Sequence, residues 1–365
     1  MTIPTLASVE RKRNYLTLDG MRGVAALAVV SRHFMRELSP ITLPGSYLAV
    51  DIFFAMSGFV LAHSYDDRLG ADLGTAAFVK KRLLRLYPLH LLSILIVAIG
   101  VAAALAAHIP VNWKPASLAA GIALSLLFLP TPPSLNSTPL LFPLNMPAWS
   151  LFMEIAVNIL YAAIRPLLTS RMLAIVLIAS GLALGGVIAW HGDADIGSDW
   201  ATLVLSPPRV IFSFFLGVAL FRCDRAGRLP HVSLPAWSIL MLLVLLFLGD
   251  FGGPARAMFD IVAIVLLLPM LLITGIQNQP TRFKALFTFL GVTSYPIYAL
   301  HVPLQKYIVN AIDKVFGGHV LAYAPTIGLA ILAAMLPIGW AANRFYDAPV
   351  RQALGRRPGR KTETS

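Results

Sequence analysis

Apolar residues run along this chain in blocks near 20 residues long, separated by short polar segments that hold Lys and Arg. A helix rises about 1.5 Å per residue, so a block of that length crosses the ~30 Å hydrocarbon core of a bilayer. The blocks predict helices at 17–36, 46–64, 88–107, 148–165, 172–190, 202–221, 234–250, 257–276, 286–304 and 323–343. A further stretch, 117–130, is short, and Pro130, Pro132, Pro133, Pro139, Pro143 and Pro147 follow it closely. Read as a span it gives eleven crossings; read with its flanks as a re-entrant or outer loop at 108–147, it leaves ten. Residues 72–87 alternate basic and apolar faces, which predicts an amphipathic segment along the interface.

Composition removes the competing classes. At 365 residues the chain is long enough for two soluble domains, but 58% is apolar and only 13% charged. A soluble domain carries about a quarter charged residues. The fold class is therefore all-α, a polytopic integral membrane protein, and disorder, collagen, a coiled coil and a disulfide scaffold are excluded. The lone Cys223 makes neither an internal disulfide nor a zinc site. The net charge of +12 would suit nucleic acid, but the basic residues sit in short runs between apolar blocks, the pattern of cytoplasmic loops. Membrane lipid is the partner this predicts, not nucleic acid.

Charge also decides the topology. With ten crossings and the N-terminus inside, 21 of the 29 basic residues fall inside, among them Arg11, Lys12 and Arg13, and Arg356, Arg357, Arg360 and Lys361. Six fall outside (Arg32, Arg36, Lys114, Arg256, Lys306 and Lys314), Arg22 and Arg209 lie within spans, and the acidic loop 191–201 lands outside. Eleven crossings would reverse the bias after residue 147. Both termini are thus expected in the cytoplasm. The chain divides into an N-terminal segment 1–16, one transmembrane domain 17–350 and a basic tail 351–365.

Ionisable groups inside spans are costly and mark function by default. Arg22 and His33 are eleven residues apart on the first span. Eleven steps of 100° leave them about 20° apart around the helix and roughly 16 Å apart along it, on one stripe. Arg22 lies toward the cytoplasm and His33 toward the outer side. Snorkelling for Arg22 and a packing hydrogen bond for His33 are the structural alternatives. Asp51 and Glu154 enter their spans from the outer side, and a carboxylate beside an imidazole fixes its tautomer and raises its basicity. Either acid pairing with Arg209 is the competing reading. His301, with Tyr298 one turn below, joins this outer layer. The inner half gathers Arg22, Lys80, Lys81, Arg82 and Arg85 without comparable acids. Such a surface suits a multiply phosphorylated anion, although ordinary positive-inside bias or anionic lipid explains it too.

Seven blocks in order carry a resemblance over roughly residues 15–350. They are Leu18-Asp19-Gly20-Met21-Arg22-Gly23 with His33, Val50-Asp51-Ile52-Phe53-Phe54 through Ser57-Gly58-Phe59, and Phe78-Val79-Lys80-Lys81-Arg82-Leu83-Leu84-Arg85. Pro147-Ala148-Trp149-Ser150-Leu151 with Glu154, Arg209 with Gly217, Ser294-Tyr295-Pro296-Ile297-Tyr298-Ala299-Leu300-His301, and Tyr346-Asp347-Ala348-Pro349 follow. Together they resemble the membrane-bound acyltransferase family 3, whose members O-acylate sugars, polysaccharides and related acceptors. Two positions depart from the family pattern: Lys81 stands where it usually has Arg, and Asp347 where it typically has Glu before x-Pro.

The resemblance implies a bacterial inner-membrane enzyme moving an acyl group, acetyl by default, from cytoplasmic acyl-CoA to a hydroxyl of a sugar, polysaccharide or related envelope acceptor. Acyl-CoA would be a co-substrate, with no permanently bound cofactor and no metal. Arg22, Lys81, Arg82 and Arg85 would hold its phosphates. His33 would act as general base or carry the acyl group briefly, with Asp51 or Glu154 orienting it. Arg209, His301 or a backbone amide would stabilise the oxyanion. Trp149 and Tyr298 join the candidate site, and Ser57 and Ser150 are weaker candidates as nucleophiles. The rival reading is a transporter or exporter of an anionic or glycan-like solute, since intramembrane charges and Gly/Pro-interrupted spans occur there as well; no duplicated halves support it. A non-catalytic membrane partner or sensor ranks third.

Overall fold

The computed structural model describes residues 14–355 except residue 112. Arg11, Lys12 and Arg13, and Arg356, Arg357, Arg360 and Lys361 of the basic tail, lie outside the described residues. Fourteen helices follow in order: α1 Leu16–His33, α2 Met35–Leu38, α3 Ala49–Tyr65, α4 Thr75–Ala106, α5 Pro115–Leu126, α6 Ala148–Ile164 and α7 Ser170–His191. Then come α8 Ser206–Arg225, α9 Ala236–Phe247, α10 Pro254–Val262, α11 Leu268–Gln277, α12 Lys284–Val315, α13 Thr326–Ala342 and α14 Ala348–Gly355. Single π-helical turns join α10 to α11 and α13 to α14.

All ten expected segments are helical, and 8 of the resulting helices are long and apolar enough to cross a membrane. The other two differ for stated reasons. α1 carries Asp19, Arg22 and Arg32 within its length, and α9 has only 12 residues, about 18 Å of helix. α1 is largely buried in the bundle, and α9 packs one face against it while Trp237, Met241 and Leu245 stay exposed. Segment 72–87 does not stand alone. It is the start of α4, a 32-residue helix that runs on through Pro88. At roughly 48 Å, α4 exceeds the hydrocarbon thickness, so its basic first turns project beyond it. The stretch 108–147 contains α5, too short to cross. α5 folds back along α4 until the Ser125 carbonyl accepts a hydrogen bond from His90 Nε2 at 2.7 Å, halfway down α4. Re-entry, one of the two alternatives for this stretch, describes it.

The bundle has two distinct ends. At one, Asp66 takes Arg165 at 2.5 Å, Arg222 at 3.1 Å and the Tyr161 hydroxyl at 2.7 Å, tying the ends of α3, α6 and α8 together. The basic turns of α4 lie at this end, called here the basic end. At the other, Arg32 pairs with Asp195, Leu141 N–H donates to Ser198 at 3.1 Å and Trp200 Nε1 to Thr131 at 3.0 Å. The acidic loop after α7 and the returning stretch after α5 therefore cover the end where α1 finishes. Two close helix pairs build the interior. α1 runs parallel to α12, with Gly20 against Phe287 and Gly23 against Leu290. α3 crosses α8 where a Cβ on Gly58 would run into the Phe214 carbonyl and one on Gly217 into the Ala55 carbonyl, so the backbones meet directly.

Candidate active site

The α1–α12 pair presents Arg22 and His33 to two cavities stacked through the bundle. The larger opens toward the basic end, and Arg22, Arg82, Arg85, Glu154, Ser294 and Tyr295 contribute to its lining. Arg22 donates from Nε to Ser294 at 3.1 Å and from Nη2 to Asp19 at 2.5 Å. Arg82 Nη2 lies 2.6 Å from Glu154 Oε1, which also accepts from Ser57 at 2.8 Å. Arg85 stands 3.5 Å from Asp347 and its guanidinium lies 5.2 Å from the Tyr295 ring centroid. The inner cluster was expected to lack acids; each of these arginines instead has a carboxylate beside it. The Asp347-Ala-Pro block enters the site this way, placed by the π-helical turn that ends at Asp347. Lys81 is set apart: it is exposed, with its ammonium 5.9 Å from the Tyr65 ring centroid, and does not contribute to the cavity wall.

The smaller cavity lies toward the opposite end and is lined by His33, Arg32, Tyr47, Trp149, Asp195 and Arg209 among others. Val50 and Tyr298 line both cavities. The Tyr298 hydroxyl is fixed there, 2.5 Å from Ser150 Oγ and donating to the Pro147 carbonyl at 3.2 Å. Ser150 itself donates to Pro147 at 3.0 Å. Both serines considered as nucleophiles are thus engaged in bonds that hold other groups.

The carboxylate expected beside His33 is not there. Asp51 receives Arg209 Nη2 at 2.6 Å, Arg209 Nε at 3.1 Å and Ser213 at 3.0 Å, while Arg209 also donates to the carbonyls of Tyr47 at 2.8 Å and Ile196 at 3.3 Å. Asp51 and Arg209 are each 1% exposed, so this is a sealed, satisfied pair that locks α3, α8 and the acidic loop together. Glu154 sits deep enough in α6 to serve Arg82 instead. Among the described residues, neither acid bonds to His33. Its Nδ1 lies 2.9 Å from the Val29 carbonyl and 3.2 Å from His301 Nε2, and its own carbonyl accepts from Gln305. His33 Nε2 has no hydrogen-bond partner among the described residues. Asp19, Asp195 and Gln305 were not singled out from sequence. Asp195 had a signal, since its loop was placed on the His33 side, whereas Asp19 and Gln305 read as ordinary helix polar residues until α1 and α12 are seen in register.

A family model described as an acyltransferase domain matches residues 15–344, a range that holds every residue named in the lining of the two cavities. Two curated proteins are similar. "Protein 2 in picA locus" of Rhizobium radiobacter is 40% identical over 182 residues, 47% of this chain and 92% of that protein. "Acyltransferase MdmB" of Streptomyces mycarofaciens is 27% identical over 383 aligned residues, 93% of this chain and 92% of that protein. No solved structure matches the chain significantly.

Proposed function

Because the chain belongs to this membrane-bound acyltransferase family, with its model matching 15–344, we propose that it is an acyl-CoA-dependent O-acyltransferase of a bacterial cytoplasmic membrane. The group moved is acetyl, and the acceptor a hydroxyl of a sugar, polysaccharide or related envelope component. The observation that carries this reading is the stacking of the two cavities. One is lined by arginines at the end where the cytoplasm is expected; the other holds an imidazole with a nitrogen that has no hydrogen-bond partner among the described residues; Val50 and Tyr298 line both.

Arg22, Arg82 and Arg85 fit the phosphates of acyl-CoA, because guanidinium grips phosphate oxygens bidentately and each group already reaches into the cavity. In this reading Asp19, Glu154 and Asp347 hold the arginines in place when no anion is bound. The pantetheine arm spans the roughly 16 Å from Arg22 to His33 and carries the thioester past Val50 and Tyr298, which line both cavities, to the side of His33. The acceptor enters the smaller cavity, and His33 Nε2 removes its hydroxyl proton as the oxygen attacks the thioester carbonyl. The C–S bond breaks, the ester leaves, and the thiolate takes up the proton from His33, so the enzyme returns to its starting state. Arg209 commits most of its N–H groups to Asp51 and two carbonyls, which assigns it to architecture rather than to the oxyanion.

Purified protein in liposomes, given radiolabelled acetyl-CoA and a hydroxylated glycan acceptor, tests the proposal. Labelled acceptor should form with the native protein and fall by at least the ~10²–10⁴ that a general base supplies in His33→Ala. Equal transfer by both proteins sinks the base assignment, and passage of unmodified acceptor without labelling would favour the transporter.

A further inference from the structure

His301 lies fully buried on α12, one helix away from the imidazole assigned as base. Its Nδ1 is 3.1 Å from the Ile297 carbonyl and 2.8 Å from the Tyr298 carbonyl. A carbonyl oxygen only accepts, so Nδ1 carries the proton and Nε2 of the neutral ring keeps its lone pair. That Nε2 faces His33 Nδ1 at 3.2 Å, with the rings edge to face and 4.7 Å between centroids. His33 Nδ1 also faces the Val29 carbonyl at 2.9 Å. Both neighbours of Nδ1 are acceptors, so it too carries hydrogen, and the lone pair of His33 is left on Nε2, the nitrogen with no partner among the described residues.

We propose that His301 is a positioning residue for the reaction: its Nε2 accepts a hydrogen bond from His33 Nδ1–H, aims Nε2 of His33 at the acceptor hydroxyl and stabilises the imidazolium formed when that nitrogen takes the proton. This inference rests on the base assignment above. It replaces the role a carboxylate was expected to fill. A carboxylate in this fully buried place would need a counter-charge of its own, whereas a neutral imidazole brings a directed lone pair without one. The bond strengthens when its donor becomes charged, which is during transfer and not before it. The Val29 carbonyl already sets the tautomer of His33, so the distinct contribution of His301 is to the charged state.

The test compares His301→Phe, which fills the space without an acceptor, with His301→Gln, whose side-chain carbonyl oxygen can take the place of Nε2. Kinetics are read as kcat and KM for acetyl-CoA and for acceptor, across pH. His301→Phe should lower kcat roughly ten- to a hundredfold, a part of what the base itself provides, with both KM values within about twofold. The acidic limb of its kcat profile should move to lower pH, because an imidazolium that has lost its acceptor gives up its proton more easily. His301→Gln should recover much of kcat and return the limb. The other charged and titratable groups around His33 are Arg32, Asp195, Arg209 with Asp51, Tyr47 and Tyr298, all unchanged in both variants, so the shift reports on His301 alone. Unchanged kcat in His301→Phe overturns the inference, as does a loss that His301→Gln shares and that leaves the pH limb in place. If His301→Phe does not fold, judged by acetyl-CoA binding, His301→Gln decides by itself: native kcat and profile support an acceptor role, and loss without a limb shift overturns it. Turnover retained in His33→Ala would instead overturn the base assignment, which separates the two failures.

Discussion

Each of the three arginines of the larger cavity is guarded by a carboxylate, but not equally. Arg22 and Arg82 are held at 2.5 and 2.6 Å, whereas Arg85 is 3.5 Å from Asp347, which also serves Arg351 at 2.8 Å. Arg85 is therefore the guanidinium freest to change partner for a phosphate. Removing a hydrogen bond to a charged group costs about 1.5–3 kcal/mol, so Arg85→Ala should raise KM for acetyl-CoA roughly ten- to a hundredfold. The kcat should change little, since the phosphates lie far from the reacting carbon and bind ground and transition states alike. Lys81→Ala, which changes an exposed side chain over Tyr65, should leave KM within about twofold of native. A steady-state KM series over the two variants decides the matter, and equal effects would show that the cation cluster acts as a diffuse field. Sequence placed Lys81, Arg82 and Arg85 in one segment, but a run of basic residues on a helix cannot say which of them turn inward. Nor could it show that Asp19 and Asp347, each three or four residues from an arginine, pair with arginines of one cavity.

At the scale of elements, hydropathy located the helices, and the eleven-residue interval on α1 picked out the face that lines both cavities. What it missed were the places where helices meet. The α3–α8 contact through Gly58 and Gly217 pulls Asp51 against Arg209, and this sealed pair is why Asp51 is unavailable to His33. Period and depth alone put Asp51 and His33 in one layer; the rotation of α3 about its axis decides the partner, and that is a property of packing. The same holds at the basic end for Asp66. Burial pushes its carboxyl up, but hydrogen bonds from Arg222 and Tyr161 and the charges of Arg222 and Arg165 hold it below its ordinary value of 3.8. A group depressed in the folded state contributes stability that is complete above the unfolded value and is lost as pH falls through the lower folded one. Asp66→Asn should therefore lower the thermal midpoint in detergent at neutral pH, because it leaves two arginines without their counter-charge. The gap between variant and native midpoints should narrow as pH drops below about 4, where the native Asp66 itself gains a proton. A gap that stays constant from pH 7 to pH 3 would mean the site is held by packing and not by charge.

For the whole molecule, the positive-inside tally and the structure make one joint statement that neither makes alone. The tally assigns sides from loop charges spread over the chain; the structure brings the assigned loops together by contacts that do not depend on charge counting. Tyr15, Asp66, Arg165 and Arg222 share one end, and Arg32, Asp195, Asp260 and the return of 108–147 share the other. An eleventh crossing at 117–130 would put the α7–α8 loop and the end of α1 on opposite sides of the bilayer, yet Arg32 and Asp195 are ion-paired. The remaining question is which end faces the cytoplasm, and the mechanism depends on it, because acyl-CoA must enter by the arginine-lined cavity. Cysteine accessibility in intact cells answers it. In a background where Cys223 is replaced by Ser, Ala226→Cys at the exposed turn after α8 should resist a membrane-impermeant maleimide until the cells are opened, while Asp250→Cys, exposed between α9 and α10, should react at once. The reverse pattern would point Arg22, Arg82 and Arg85 away from the pool of acyl-CoA and leave the larger cavity without the donor proposed for it.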